Sequence, residues 1–270
     1  MTRIRAFSLF DWIFSFAGLL LVLFILLPLL GTLLGSTPAQ IAAGLTERDT
    51  LSSLWLTFFS AFLATVIALM VGVPLAYLLA RREFPGKNLV QGIIDLPIIV
   101  PHTAAGVALL MVYGRQGLLG APLKHLGLYF TENTAGIVVA MLFVSLPLLV
   151  DTARESFALI DERLEHVARI LGVGPWGTFR RVTLPLAWRG IVAGSVLMWA
   201  RGISEFGAVV ILAYNPKVIS VLIYERFTGF GLSSALPVTA LLLVLALVLL
   251  VMVRTILLPR RAKHKRGGGQ

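Results

Sequence analysis

Few side chains in this 270-residue sequence could do chemistry, and their placement limits what that chemistry can be. Arg201 and Glu205 stand four residues apart inside an apolar run, the spacing at which two helical side chains meet. Ser204 lies between them. Asp95, Pro97, Pro101 and His102 open a second apolar run. There Asp95 is expected to cap or pair, and His102 to be a packed or capping histidine rather than a ligand. Cysteine is absent, which removes disulfides, thiol catalysis and thiolate metal sites. No His, Glu and Asp cluster has metal-ligand spacing, and no Gly-x-x-x-x-Gly-Lys-Ser/Thr phosphate loop occurs. The expectation is a chain with no catalytic residues, no metal and no cofactor of its own.

The elements that carry these residues are dictated by composition. Apolar residues make up 58% and charged residues 13%, with a mean hydropathy of +0.92. A soluble domain usually carries about 25% charged residues, so the bilayer is the solvent that suits this mixture. Six apolar segments predict an all-α, polytopic membrane protein: 12–34, 54–80, 89–113, 136–150, 191–214 and 235–253. The fourth is short and is expected to be broken by Pro147. The first is longer than the apolar region of a signal peptide and reads as a retained span. Within the fifth, Arg201 falls near mid-bilayer, where a charge costs about 2.5–3.5 kcal/mol. It must therefore face the interior or water. The Arg201–Glu205 pair reads either as a neutral lock between spans or as positive potential on an anion pathway.

The net charge of +10 is read as a topology signal, with no nucleic-acid partner. Six spans put seventeen Lys and Arg residues on the side of the termini and five (Arg48, Arg115, Lys124, Lys217 and Arg226) on the other. Both termini are thus expected in the cytoplasm. The whole chain reads as one transmembrane domain, with a cytoplasmic loop at 152–189 and a disordered basic tail at 260–270 lying on anionic lipid headgroups. On the outside, 218–227 is apolar enough to lie on the membrane or pack against the mouth of the bundle.

The cytoplasmic loop reads as short helices. Asp161 is an N-cap with Glu162 in the first turn. Leu164, Val167, Ala168 and Leu171 form an apolar stripe, and Gly172 ends the helix as a left-handed C′ residue. Gly174-Pro175 turns the chain into a second helix bearing Trp176, Phe179 and Val182, which Leu184-Pro185 is expected to break. The stripe either folds back on the chain's own helix ends or inserts into a groove of a soluble partner.

The stretch Glu165-His166-Val167-Ala168-Arg169-Ile170-Leu171-Gly172, followed ten residues on by Val182-Thr183-Leu184-Pro185, resembles the EAA loop of ABC importer permeases. The alanine positions fall on Val167 and Ala168. The acidic position falls on His166, with Glu165 one residue earlier. Trp199-Ala200-Arg201-Gly202-Ile203-Ser204-Glu205-Phe206-Gly207-Ala208, Phe84-Pro85-Gly86-Lys87 and Asp95-Leu96-Pro97 through Pro101-His102-Thr103 resemble the permeases for molybdate and tungstate, with sulfate permeases close relatives. The resemblance implies a type I permease fold and a transport subunit, not an enzyme, in the cell membrane. It implies a second copy of the chain, two cytoplasmic ATPase subunits carrying ATP and Mg²⁺, an extracytoplasmic solute-binding protein and an oxyanion substrate. The implied ATPase-docking residues are Glu165, His166, Val167, Ala168, Arg169, Leu171, Gly172, Trp176, Val182, Leu184 and Pro185. Arg201, Ser204 and Glu205 are the pathway candidates. The rival is an ion-coupled secondary transporter.

Overall fold

The structure, a computed structural model, describes residues 8–257. Arg3, Arg5 and the tail 260–270 lie outside the described residues. Every regular element among the described residues is helical: α1 (Leu9–Leu34), α2 (Pro38–Gly44), α3 (Arg48–Arg81), α4 (Lys87–Ile99), α5 (His102–Tyr113), α6 (Gly120–Lys124), α7 (Thr134–Ala158), α8 (Glu162–Ile170), α9 (Pro175–Thr178), a π-turn (Phe179–Thr183), α10 (Leu184–Ile203), α11 (Gly207–Leu212), α12 (Ile219–Phe230) and α13 (Leu232–Leu257). Five stretches are long and apolar enough to cross a membrane: α1, α3, α7, the run Pro175–Ile203, and Leu232–Met252 of α13. The pair α4 and α5 passes the same test together.

Four boundaries differ from the sequence expectation. The third segment is not one rod: α4 and α5 meet at a bend of 118°. Pro101 supplies no N–H and pushes Val100 into extended backbone (φ −69°, ψ 131°), so the helix stops there. The fourth segment is not broken by Pro147, which sits buried inside an unbroken 25-residue helix. In a bilayer, neighbouring helices and hydroxyls compensate the backbone that a proline frees. The fifth segment is interrupted at 204–206, between α10 and α11. Leu184-Pro185 does not break the helix before it. The π-turn absorbs the proline, with the Leu184 N–H reaching back to the Phe179 carbonyl, and helix runs on from Pro175 to Ile203.

The chain forms two compact units. The first, within the described residues, joins 8–51 to 223–250. In it Gly35 and Gly44 let backbone approach Leu236 and Leu241. Arg226 pairs with Glu47, holding that carboxyl below its ordinary range against the opposing effect of burial. Helix α1 has no buried residue.

The second unit, within the described residues, spans 52–222 and 251–257. Its centre is α7, with twelve buried residues. Val73, Ala76 and Leu79 of α3, Val150, Ala153 and Phe157 of α7, and Ala187 and Ile191 of α10 form one apolar cluster. The start of α12 is held inside this unit: Val218, Ile219, Val221 and Leu222 are buried, and the Ile219 N–H donates to Thr57 Oγ1 at 2.8 Å. Part of 218–227 thus packs inward.

Helices α5 and α11 pack with almost no space between them. A Cβ at Gly106 would stand 2.8 Å from Ile211 Cβ and 3.0 Å from Ala208 Cα. Gly106→Ala is therefore expected to cost about 1–3 kcal/mol through overpacking, outweighing the helix-propensity gain of roughly 1 kcal/mol. Gly92 faces open space, so Gly92→Ala is the control. Thermal unfolding in detergent should show a lower Tm for the first variant only.

Candidate functional site

Two constellations in the second unit gather nearly all the residues singled out by sequence. The first is built on helix α8. The Asp161 carboxylate caps it by accepting the Arg163 N–H at 2.9 Å. Gly172 takes φ +81°, its N–H donates to Arg169 O at 2.9 Å, and the Val173 N–H reaches Ala168 O at 3.0 Å. That pair of bonds is a Schellman ending, which only a residue at ease with positive φ accommodates without strain.

The face that α8 turns inward is not the predicted stripe. Glu165 and Ala168 are buried, whereas Leu164, Val167 and Leu171 are 48%, 53% and 77% exposed. The stripe is therefore not covered by the chain's own described helix ends. Glu165 explains why. Its Oε1 accepts from Arg81 Nε at 2.9 Å and from Thr183 Oγ1 at 3.0 Å. Its Oε2 lies 3.4 Å from both Tyr77 OH and Arg169 Nη2. Arg81 also donates from Nη2 to Ile160 O at 2.9 Å. The Arg81 and Glu165 side chains are 7% and 2% exposed. The acid of the loop is thus Glu165, one residue before the position the EAA pattern assigns, and His166 is exposed. Beneath it, Tyr77, Phe157 and Phe179 pack ring to ring at 5.0–6.2 Å, and Trp176 stacks on Phe179 at 5.7 Å while remaining 72% exposed. Val182 and Leu184 are half-buried and Pro185 is exposed.

The second constellation sits where two helix breaks meet. Arg201 lies in the last turn of α10, not in mid-helix. Glu205 is fully buried in the interruption that follows. Its Oε2 is 3.2 Å from Arg201 Nη2 and 2.8 Å from His102 Nδ1. Its Oε1 accepts the Ala208 N–H at 2.8 Å, and its backbone carbonyl accepts Ser220 Oγ at 2.7 Å. Glu205 therefore caps α11 and neutralises Arg201 at once, which is why the fifth apolar segment stops and restarts here. His102, first residue of α5, is a third member that sequence spacing does not link to the pair. Arg201 Nη2 lies 2.7 Å from His102 Nδ1 and 2.8 Å from its Nε2. Arg201 Nη1 also donates to exposed Ser204 at 3.2 Å. Gly207 makes the meeting possible, since a Cβ there would lie 2.7 Å from His102 Cβ. The local signals are that His102 follows the proline at which α4 ends and lies in the stretch Pro101-His102-Thr103 that resembles the oxyanion permeases. Asp95 lies against another acid, Asp151, and its Oδ1 is buried without a hydrogen-bond partner. Among the described residues, no group of three or more His, Asp or Glu side chains could hold a metal.

The family described as binding-protein-dependent transport system inner membrane component matches residues 72–263. This chain belongs to that permease family. The permease is 41% identical over 245 residues to a molybdate/tungstate transport system permease protein of Pyrococcus furiosus, covering 89% of this chain and 93% of the relative. A protein of the same description from Methanocaldococcus jannaschii is 36% identical, covering 91% and 96%. A probable sulfate transport system permease protein of Zygnema circumcarinatum is 32% identical, covering 96% and 92%. Among solved structures, a bacterial ABC transporter involved in alginate import superposes with a TM-score of 0.73 at 16% identity, over 92% of this chain and 95% of that one. The permease thus has the type I ABC importer fold and is a multi-pass transport component of the cell membrane.

The clamp on α8 makes the permease sensitive to one substitution. Arg81→Met leaves the Glu165 carboxylate buried with only neutral donors and the 3.4 Å contact to Arg169, a change expected to cost about 3–5 kcal/mol. Trypsin cleavage in 159–174 should accelerate by about two orders of magnitude or more. The double variant Arg81→Met/Glu165→Leu should recover part of that loss. Equal cleavage rates in wild type and Arg81→Met would show that the pair does not hold the helix.

Proposed function

We propose that the chain is the membrane-spanning subunit of an ATP-driven importer for molybdate or tungstate. Two identical copies line one pathway, and both termini lie in the cytoplasm. Two ATPase subunits, which carry ATP and Mg²⁺, grip α8 through Leu164, Val167, Leu171 and the surface around Gly172 and Trp176. An extracytoplasmic binding protein delivers the oxyanion. The names of the archaeal relatives support the substrate, and the name of the sulfate relative supports sulfate as the second reading. A related solved complex with a bound periplasmic protein supports the donor.

One observation carries this reading. The docking helix and the intramembrane charges are fastened to the same rod. Thr183 is bonded to Glu165, and Arg201 is bonded to Glu205 and His102. Both lie on the continuous helix Pro175–Ile203, with a separation of ~27 Å at about 1.5 Å per residue. A pull on α8 reaches Thr183 through a buried carboxylate and arrives at Arg201 without crossing a flexible joint. When the rod tilts, Arg201 changes its distance from His102 on α5. Its partly exposed guanidinium then offers positive potential to an anion that Glu205 otherwise holds in check.

Two variants separate the ends of the rod in proteoliposomes supplied with the ATPase and ATP. Gly172→Asp strains a φ of +81° and adds charge to the docking surface. It should lower ATPase co-purification at least about tenfold, with normal membrane insertion. Arg201→Gln should leave the complex and its ATP hydrolysis intact and cut molybdate uptake about tenfold or more. If Arg201→Gln loses the complex first, the cluster is a lock between helices and not part of the pathway.

A further inference from the structure

A groove of about 410 Å³ opens beside α8, lined by Pro74 and Leu78 of α3, Arg82, Arg169, Trp176 and Phe179 among others. We propose that it holds one anionic phospholipid, with the phosphate between Arg82 and Arg169 and an acyl chain along Pro74 and Leu78. The inference stands apart from the transport reading and needs only that α3 crosses the membrane.

The groove changes character along its length. At the cytoplasmic end of α3, the Arg82 guanidinium is exposed and has no ion-pair or hydrogen-bond partner among the described residues. Arg169 is half exposed, and its single contact to Glu165 is long, at 3.4 Å. The acids nearby lie outside the groove, Glu162 at 3.9 Å from Arg81. Glu165 is buried among Arg81, Thr183 and Tyr77, and Glu83 pairs with Lys87 at 2.6 Å. No carboxylate lines the groove. Two guanidinium groups with no acid between them suit a phosphate that carries no cation of its own, because guanidinium forks match phosphate oxygens. A choline or ethanolamine group would add a positive charge beside them.

From Arg82 the floor climbs along α3 to Pro74, a rise of ~12 Å toward the bilayer centre at helical pitch. Leu78 is 48% exposed on that floor. A soluble subunit gripping α8 cannot follow the groove into hydrocarbon, whereas an acyl chain belongs there. Trp176, largely exposed, stands at the boundary where indole rings settle at headgroup level. The phosphate would share Arg169 with the Glu165 clamp, so the lipid would bear directly on the stance of the docking helix.

The full-length chain in nanodiscs tests this with acyl-brominated lipids, which quench nearby tryptophan. Subtracting the signal of Trp176→Phe isolates Trp176 from the other four tryptophans. Brominated phosphatidylglycerol should quench Trp176 at a mole fraction about fivefold lower than brominated phosphatidylcholine. Arg82→Gln should bring the two curves together, and Arg82→Lys should keep most of the preference. Arg169→Gln serves as a second variant if Arg82→Gln does not elute as a folded species. Equal quenching by both lipids in wild type, or an Arg82→Gln chain that keeps the full preference, overturns the proposal. Absence of quenching by either lipid also overturns it, since the groove is then closed by protein, a second copy included.

Discussion

A carboxylate with almost no access to solvent is tolerated only when donors surround it, and Glu165 shows what that requirement does to a fold. Its donors come from the end of α3, from its own helix and from the π-turn before α10, so satisfying one side chain brings three segments together. The orientation of α8 follows. With Glu165 and Ala168 turned inward, Leu164, Val167 and Leu171 have nowhere to go but outward. A helix lying loosely on the membrane would hide those side chains; a helix anchored by a buried ion pair presents them. The length of α3 belongs to the same requirement. Helix α3 has 34 residues. That many residues extend ~51 Å, well beyond a hydrocarbon core of about 30 Å. The surplus carries Arg81 to the acid.

The intramembrane cluster follows the same logic with the roles reversed. Here the cation is the costly group, and the chain breaks two helices to satisfy it. One break delivers His102 and the other delivers Glu205 together with a fresh N–H at Ala208. Glycines at 106 and 207 are the steric condition, since α5 and α11 approach closely enough only where side chains are missing.

Much of this was legible in the sequence because it is periodic or punctuated. Hydropathy located the membrane segments, Asp161 and Gly172 marked the ends of α8, and the spacing of Arg201 and Glu205 announced their pairing. Prolines were read less well, since their effect depends on what surrounds them. Pro147 and Pro185 sit inside continuous helix, whereas Pro101 ends one, and no local rule separates the three. Partnerships across long stretches of chain were invisible. Arg81 and Glu165 are 84 residues apart, and His102 and Glu205 are 103. The stripe on α8 was found, but its direction was not, because periodicity identifies an apolar face without saying whether it points inward or outward.

The π-turn at Phe179–Thr183 makes the two halves of the rod unequal in what they tolerate. A wide turn is in effect one residue too many for an α-helix, stored in a single place. Losing a residue there would restore ordinary helix and leave the compass bearing of Arg201 nearly unchanged. Losing one between Leu186 and Ala200 would swing Arg201 by about 100°, a full residue's worth of helical phase. It would then point away from His102 and into a neighbour or the lipid. Length variation along this rod is therefore confined by phase: one short segment can lose a residue, while the helix that follows keeps strict count.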